Sequence, residues 1–230
     1  MSIGSPFTVG TAVAVAAIGF LYHSSQKSKE KQVDDVQSVT ISVPDWASAY
    51  YESLKDQTFT NQEDMMAIAI ELSRRNVDEN TGGPFGCCIF QYDTTTKQSK
   101  LFSIGVNRVV PLNNSTLHGE MVAIAMAEKK LRSFSLEASN SKEYHLYTSC
   151  EPCAMCLGGT LWSGVSKMVC AATKDDAEAI GFDEGPVFPE SYIALQKSGC
   201  KVVRNVLRKE GASVLNRYKE VGVIYNGNSN

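Results

Sequence analysis

Residues 148–158 read T-S-C-E-P-C-A-M-C-L-G and residues 116–120 read T-L-H-G-E, and the two stretches make chemical sense only together. His118, Cys153 and Cys156 offer one imidazole and two thiolates, the three protein ligands of a catalytic zinc whose fourth tetrahedral position is left to water. Glu120 stands two residues past the histidine, where it can reach that water without ligating the metal and carry its proton to a departing amine. We therefore expect Zn2+ as cofactor, held by His118, Cys153 and Cys156, with Glu120 as the catalytic acid and base. A redox C-x-x-C would leave His118 and Glu120 idle, and a structural zinc would recruit a fourth Cys or His. Neither other histidine fits that role: His23 lies in the N-terminal segment and His145 opens a strand-like run.

Apolar periodicity places these motifs on a framework. Met65, Met66, Ala69, Ile70 and Leu72 recur with helical spacing over 61–75, with Asn61 or Thr60 as the cap. The turn T-G-G-P-F-G at 81–86 leads into a short strand at 87–90, and a second strand covers 101–106 and ends at Asn107. Helices are expected from His118 to Leu131 and from Cys153 to Trp162, so that two helix N-termini face one metal and favour thiolate over thiol. Strands are expected at 144–148, 167–171 and 202–207, and a late helix at 212–221. Strands alternating with helices predict an α/β fold, a three-layer α/β/α sandwich around a central mixed sheet of about five strands.

The chain has 230 residues, a net charge of −3 and a pI near 5.7. No basic run interrupts its catalytic portion, which argues against a polyanion as main partner and for a small neutral substrate. Seven cysteines are an odd number without framework spacing. Cys87, Cys88, Cys170 and Cys200 read as packed thiols, whereas Cys150 fits either packing or pocket lining. From Pro6 to Tyr22 the residues are apolar or small and uncharged, and Lys27, Lys29 and Lys31 follow. This predicts an apolar N-terminal helix, with residues 1–23 as a membrane anchor or signal segment, 24–43 as a polar linker and 44–230 as the catalytic domain. The lysines on the far side of the apolar run place that domain in the cytosol of a membrane-anchored protein; a soluble cytoplasmic chain and one secreted after cleavage are the alternatives.

From about Asn61 onward the chain resembles the cytidine and deoxycytidylate deaminase superfamily, and within it the branch that acts on free bases and on tRNA adenosine. Besides the zinc residues, G-G-P-F-G at 82–86 and A-I-G-F-D-E at 179–184 are similar to segments of bacterial guanine-deaminating members. The resemblance implies a cytidine deaminase-like fold, hydrolytic deamination of a nucleobase with release of ammonia, guanine as the leading substrate, and a homodimer. It also implies substrate-binding roles. Asn107 matches an asparagine that hydrogen-bonds the base, Glu184 stands where guanine-deaminating members have an aspartate, and Tyr225 corresponds to a tyrosine closing the pocket. The carboxylate at 184 is one methylene longer than that aspartate, so its pocket differs in shape. Wobble adenosine in tRNA, cytosine, and an inactive binding partner of the same fold are the alternatives. The competing local readings make Asn107 a turn former, Glu184 an exposed loop acid, and Phe85 and Trp162, both candidates for the substrate site, core residues.

Overall fold

The computed structural model describes residue 1 and residues 35–227. The chain divides into two units, Met1–Thr40 and Ile41–Asn230, and the second carries every element described below. In chain order these are α1 (Asp45–Leu54), α2 (Gln62–Asp78), β1 (Gly86–Asp93), β2 (Gln98–Val106), α3 (Gly119–Leu131), β3 (Lys142–Cys150), α4 (Ala154–Ser163), β4 (Lys167–Ala172), α5 (Lys174–Glu178), α6 (Pro189–Lys197), β5 (Lys201–Val203) and α7 (Arg208–Val221).

The five strands form one mixed sheet in the order β2-β1-β3-β4-β5. β1 is antiparallel to β2 and to β3, and β3, β4 and β5 run parallel. β3 and β4 are buried along nearly their whole length because helices cover both faces, as parallel strands require. On one face Met66, Ala69 and Leu72 of α2 and Leu215 of α7 pack with Phe90, Tyr147 and Val169. On the other, Ala123 and Ala127 of α3, Leu157 of α4 and Leu195 of α6 meet Ile89, Leu146 and Met168. Each large apolar side chain so buried contributes about 1.5–3 kcal/mol. The three-layer α/β/α sandwich around a five-stranded mixed sheet expected from the sequence is the fold observed.

Local signals explain the element ends. The Asn61 side chain accepts from the Glu63 amide and starts α2, while a reciprocal Thr173–Asp176 capping box starts α5. The strand expected over 202–207 stops at Val203, because Asn205 and Leu207 adopt left-handed φ of 65° and 55°, which no ladder accommodates. Helices α1, α5 and α6 were not foreseen, since each buries a single residue, Ala47, Ala177 or Leu195, too few to show a period.

The membrane-anchored localisation is corrected. Among the described residues no helix is long and apolar enough to cross a membrane. A span needs about 20 apolar residues, whereas α2, with 17 residues, carries Glu63, Asp64, Glu71, Arg74 and Arg75. The apolar stretch 6–22 and the apolar N-terminal helix expected there lie outside the described residues, as does most of the expected linker.

Candidate metal centre and substrate cavity

Two helix starts and one strand end converge on the site. His118 is the N-cap of α3 and Cys153 the N-cap of α4, while Cys156 lies on the first turn of α4. The ligand atoms of His118, Cys153 and Cys156 all lie within 4.8 Å of one another, with His118 Nδ1 3.5 Å from Cys153 Sγ. Glu120 stands beside this triad on the first turn of α3, only 6% exposed. Its Oε1 accepts from Thr148 Oγ1 at 3.2 Å and its Oε2 lies 3.5 Å from Cys156 Sγ.

Electrostatics mark the cluster as a cation site. The hydrogen bond from Cys156 and then the one from His118 bring the Cys153 thiol down to about 4 against the effect of burial. Cys156 is driven in the opposite direction by the same shared hydrogen bond and by burial. Burial pulls the His118 imidazole down, yet the hydrogen bond to Cys153 together with the negative charges of Cys153, Glu120 and Glu184 outweighs it and the net direction is up. Burial, then the negative charge of Cys153, pushes the Glu120 carboxyl up. Too many acidic groups share one dry volume, and a divalent cation lets them all ionise. An N,S,S donor set at this spacing, held on two helix N-termini, fits zinc.

A cavity of about 290 Å³ opens on the cluster, lined by Phe85, Asn107, Phe182, Glu184 and Tyr225 together with His118, Glu120 and Cys153. All seven residues singled out from the sequence therefore meet at one place, since Cys156 completes the triad behind Cys153. Asn107 is 1% exposed; its Oδ1 accepts from the Val109 amide at 3.3 Å, so it forms a turn and lines the cavity at once. Glu184 is buried rather than an exposed loop acid. Burial first, then the charges of Cys153 and Glu120, lifts its carboxyl to about 8; a bound dication acts in the opposite sense. The Tyr225 hydroxyl is buried close to Asn107 without forming a well-shaped hydrogen bond, and burial pushes it far up. A Cβ on Gly83 would come within 2.2 Å of that hydroxyl, so the glycine is what lets Tyr225 close over the cavity.

Phe85 contributes to the cavity wall through an edge-to-face contact with Phe182, 4.9 Å between centroids. Trp162 departs from the core reading, with 81% of its surface exposed. Cys150 is a packing thiol that donates to the Thr173 carbonyl, and all seven cysteines are free and buried. Ser149 Oγ accepts from the Gly86 amide at 3.0 Å. Glu151 is tied by an ion pair to Arg204 and accepts from the Lys174 amide at 3.0 Å, so it anchors the segment before Cys153.

Asn76 escaped the sequence reading. It is fully buried on α2, and its Nδ2 donates to the Gly83 carbonyl at 2.8 Å and to the Asn107 carbonyl at 3.0 Å. Thr81 Oγ1 donates to its Oδ1 at 2.8 Å. One amide thus fixes the 82–86 turn against Asn107. The available signal was a polar residue on the apolar face of an otherwise amphipathic helix.

The family model for the cytidine and deoxycytidylate deaminase zinc-binding region matches residues 59–172. A guanine deaminase of Bacillus subtilis is 35% identical over 130 residues, covering 56% of this chain and 76% of the relative. The chain belongs to the cytidine and deoxycytidylate deaminase family. Within that family, a solved guanine deaminase from Nitrosomonas europaea superposes with a TM-score of 0.71 at 33% identity, over 82% of this chain and 100% of the other. A solved structure in complex with 2,6-diaminopurine gives a TM-score of 0.72 at 35% identity, over 84% of this chain and 98% of the other. Members of this family bind zinc and hydrolyse C–N bonds of cyclic amidines, which agrees with the donor set found here.

Proposed function

We propose that this protein is a zinc-dependent guanine deaminase, with residues 44–230 as its catalytic domain, converting guanine and water into xanthine and ammonia. The observation that carries the reading is the sharing of one cavity by a zinc triad, an unligated buried Glu120 and a second buried carboxyl, Glu184. It is supported by the similarity to guanine deaminases and to a structure holding a diaminopurine.

A zinc ion held by His118, Cys153 and Cys156 would supply Lewis-acid polarisation of a water molecule, making it nucleophilic toward the amino-bearing carbon. Glu120 moves the protons. Thr148 donates to Oε1, and once Cys156 is ionised as a metal ligand its Sγ no longer donates to Oε2, so Oε2 can take a proton from water and return it to the leaving amine. The Asn107 side chain can donate and accept at a purine edge. Glu184 accepts from the guanine amino and ring N–H groups, a pattern that cytosine and adenine do not present in the same positions. The buried Tyr225 hydroxyl gains a partner when substrate fills the cavity, and the Phe85–Phe182 pair keeps bulk water out.

Ammonia release from zinc-loaded protein, measured over guanine, cytosine, adenine and tRNA, tests this. Guanine should be turned over, and Glu184→Gln should raise KM for guanine by about tenfold or more, since replacing an ionic acceptor with an amide weakens a charge-assisted bond. Turnover of cytosine or tRNA adenosine with guanine untouched would reject the substrate assignment. The proposal includes a homodimer, so the solution mass should be twice the 25.0 kDa of one chain.

A further inference from the structure

At the end of the sheet remote from the zinc triad, Lys201, Lys167 and His145 face one another directly across β5, β4 and β3. The distance along β3 from His145 to Cys150 is about 17 Å, five residues at 3.3 Å each, so this end is separate from the catalytic cavity. Like charges placed opposite each other on neighbouring strands are destabilising, yet Lys167 and Lys201 form such a pair, and Lys97 joins them around a cavity of about 330 Å³. Among the described residues none of the three ammonium groups has a carboxylate partner. Lys167 donates to the Gln62 amide oxygen at 2.7 Å, and Glu143, the one acid lining the cavity, is engaged by His145 at 3.0 Å. Burial, then the Lys201 charge, pulls the Lys167 ammonium down.

A second, independent feature lies in the same cavity. Tyr147 is 0% exposed and its hydroxyl has no hydrogen-bond partner. A buried, unpaired hydroxyl costs about 1–3 kcal/mol, and here Tyr147 lines a space that Lys97, Lys167 and Lys201 also line. The start of α2 also borders the cavity through Thr60 and Gln62, adding the partial positive charge of a 17-residue helix.

We propose that this cavity binds a phosphate-type oxyanion, with Lys167, Lys201 and Lys97 supplying charge and the Tyr147 hydroxyl donating to one of its oxygens. A tetrahedral oxyanion offers several acceptors and negative charge, which matches three ammonium groups and an unpaired hydroxyl. The volume leaves room for a small group esterified to it.

Binding of inorganic phosphate and of ribose 5-phosphate to the zinc-loaded full chain, measured by calorimetry at fixed ionic strength in chloride, tests this. At least one should bind saturably, inorganic phosphate for a free anion site and ribose 5-phosphate more tightly for a monoester site. Lys167→Gln combined with Lys201→Gln should weaken binding more than tenfold. Tyr147→Phe, which keeps the ring and removes only the hydroxyl, should weaken it by about tenfold. Lys201→Gln alone changes an exposed side chain and should still lower affinity if the larger replacements disturb folding. Phosphate held at the zinc would survive all these substitutions. Absence of saturable binding by either probe, or binding that the variants leave unchanged, overturns the proposal.

Discussion

Glu120→Gln lowers ammonia release by a factor of about 10² to 10⁴, the usual contribution of a positioned acid–base group, while zinc content stays at the level of the unaltered protein. Gln is nearly isosteric and can still accept the Thr148 hydroxyl bond that Oε1 receives now, so neither α3 nor the triad should shift. What it cannot do is take a proton from water and deliver it to the amine. The carboxylate is also not one of the three ligands, which is why metal retention and activity should separate. Steady-state kinetics together with metal analysis on the same sample read both quantities. Unchanged turnover would remove Glu120 from the reaction, and parallel loss of zinc would make it a ligand instead.

Gly105→Ala destabilises the fold by about 3 kcal/mol, the upper part of the range for overpacking a tight contact. A Cβ at this position of β2 would sit 2.1 Å from the Gly119 carbonyl oxygen and 2.4 Å from the Ala123 amide nitrogen. Both are main-chain atoms of α3 and cannot swing aside. The helix would have to lift off the sheet, moving His118 and Glu120 away from the thiols on α4, so zinc affinity should fall along with the unfolding midpoint. Gly158→Ala is the informative contrast. Beyond its chain neighbours and the backbone of its own helix turn, no atom lies within 4 Å of the added Cβ, and Gly within a helix is worth about 0.5–1 kcal/mol less than Ala, so that variant should be neutral or stabilised. Urea unfolding of the two variants decides the point; equal behaviour would mean that the β2–α3 approach does not hold the ligand helix.

The residue types and spacing around His118 and Cys153 carried most of the information about fold and site. A ligand at a helix start is doubly determined, by motif and by apolar period, and both proved to be N-caps. Glu184 was balanced between pocket and surface, because an acid after A-I-G-F-D has no local periodicity to place it. Its burial arises from packing between segments distant in sequence, the 184 carbonyl accepting from the Ala154 amide at 3.1 Å. Asn76 was invisible for a related reason: its partners, the Gly83 and Asn107 carbonyls, are main-chain atoms that leave no trace in residue identity. Trp162 shows the converse error. Its size and position in an apolar helix suggested core, but α4 turns that side to the surface. The anchor reading rested on hydropathy and flanking lysines alone, signals of membrane insertion that no described helix matches.

The proposed chemistry depends most on one divalent ion gripped by His118, Cys153 and Cys156. Elemental analysis of pure, reduced protein measures it directly: one zinc per chain is expected, falling to a small fraction of that in Cys153→Ser and His118→Ala. Absence of stoichiometric metal, or full zinc retention in both variants, would contradict the account.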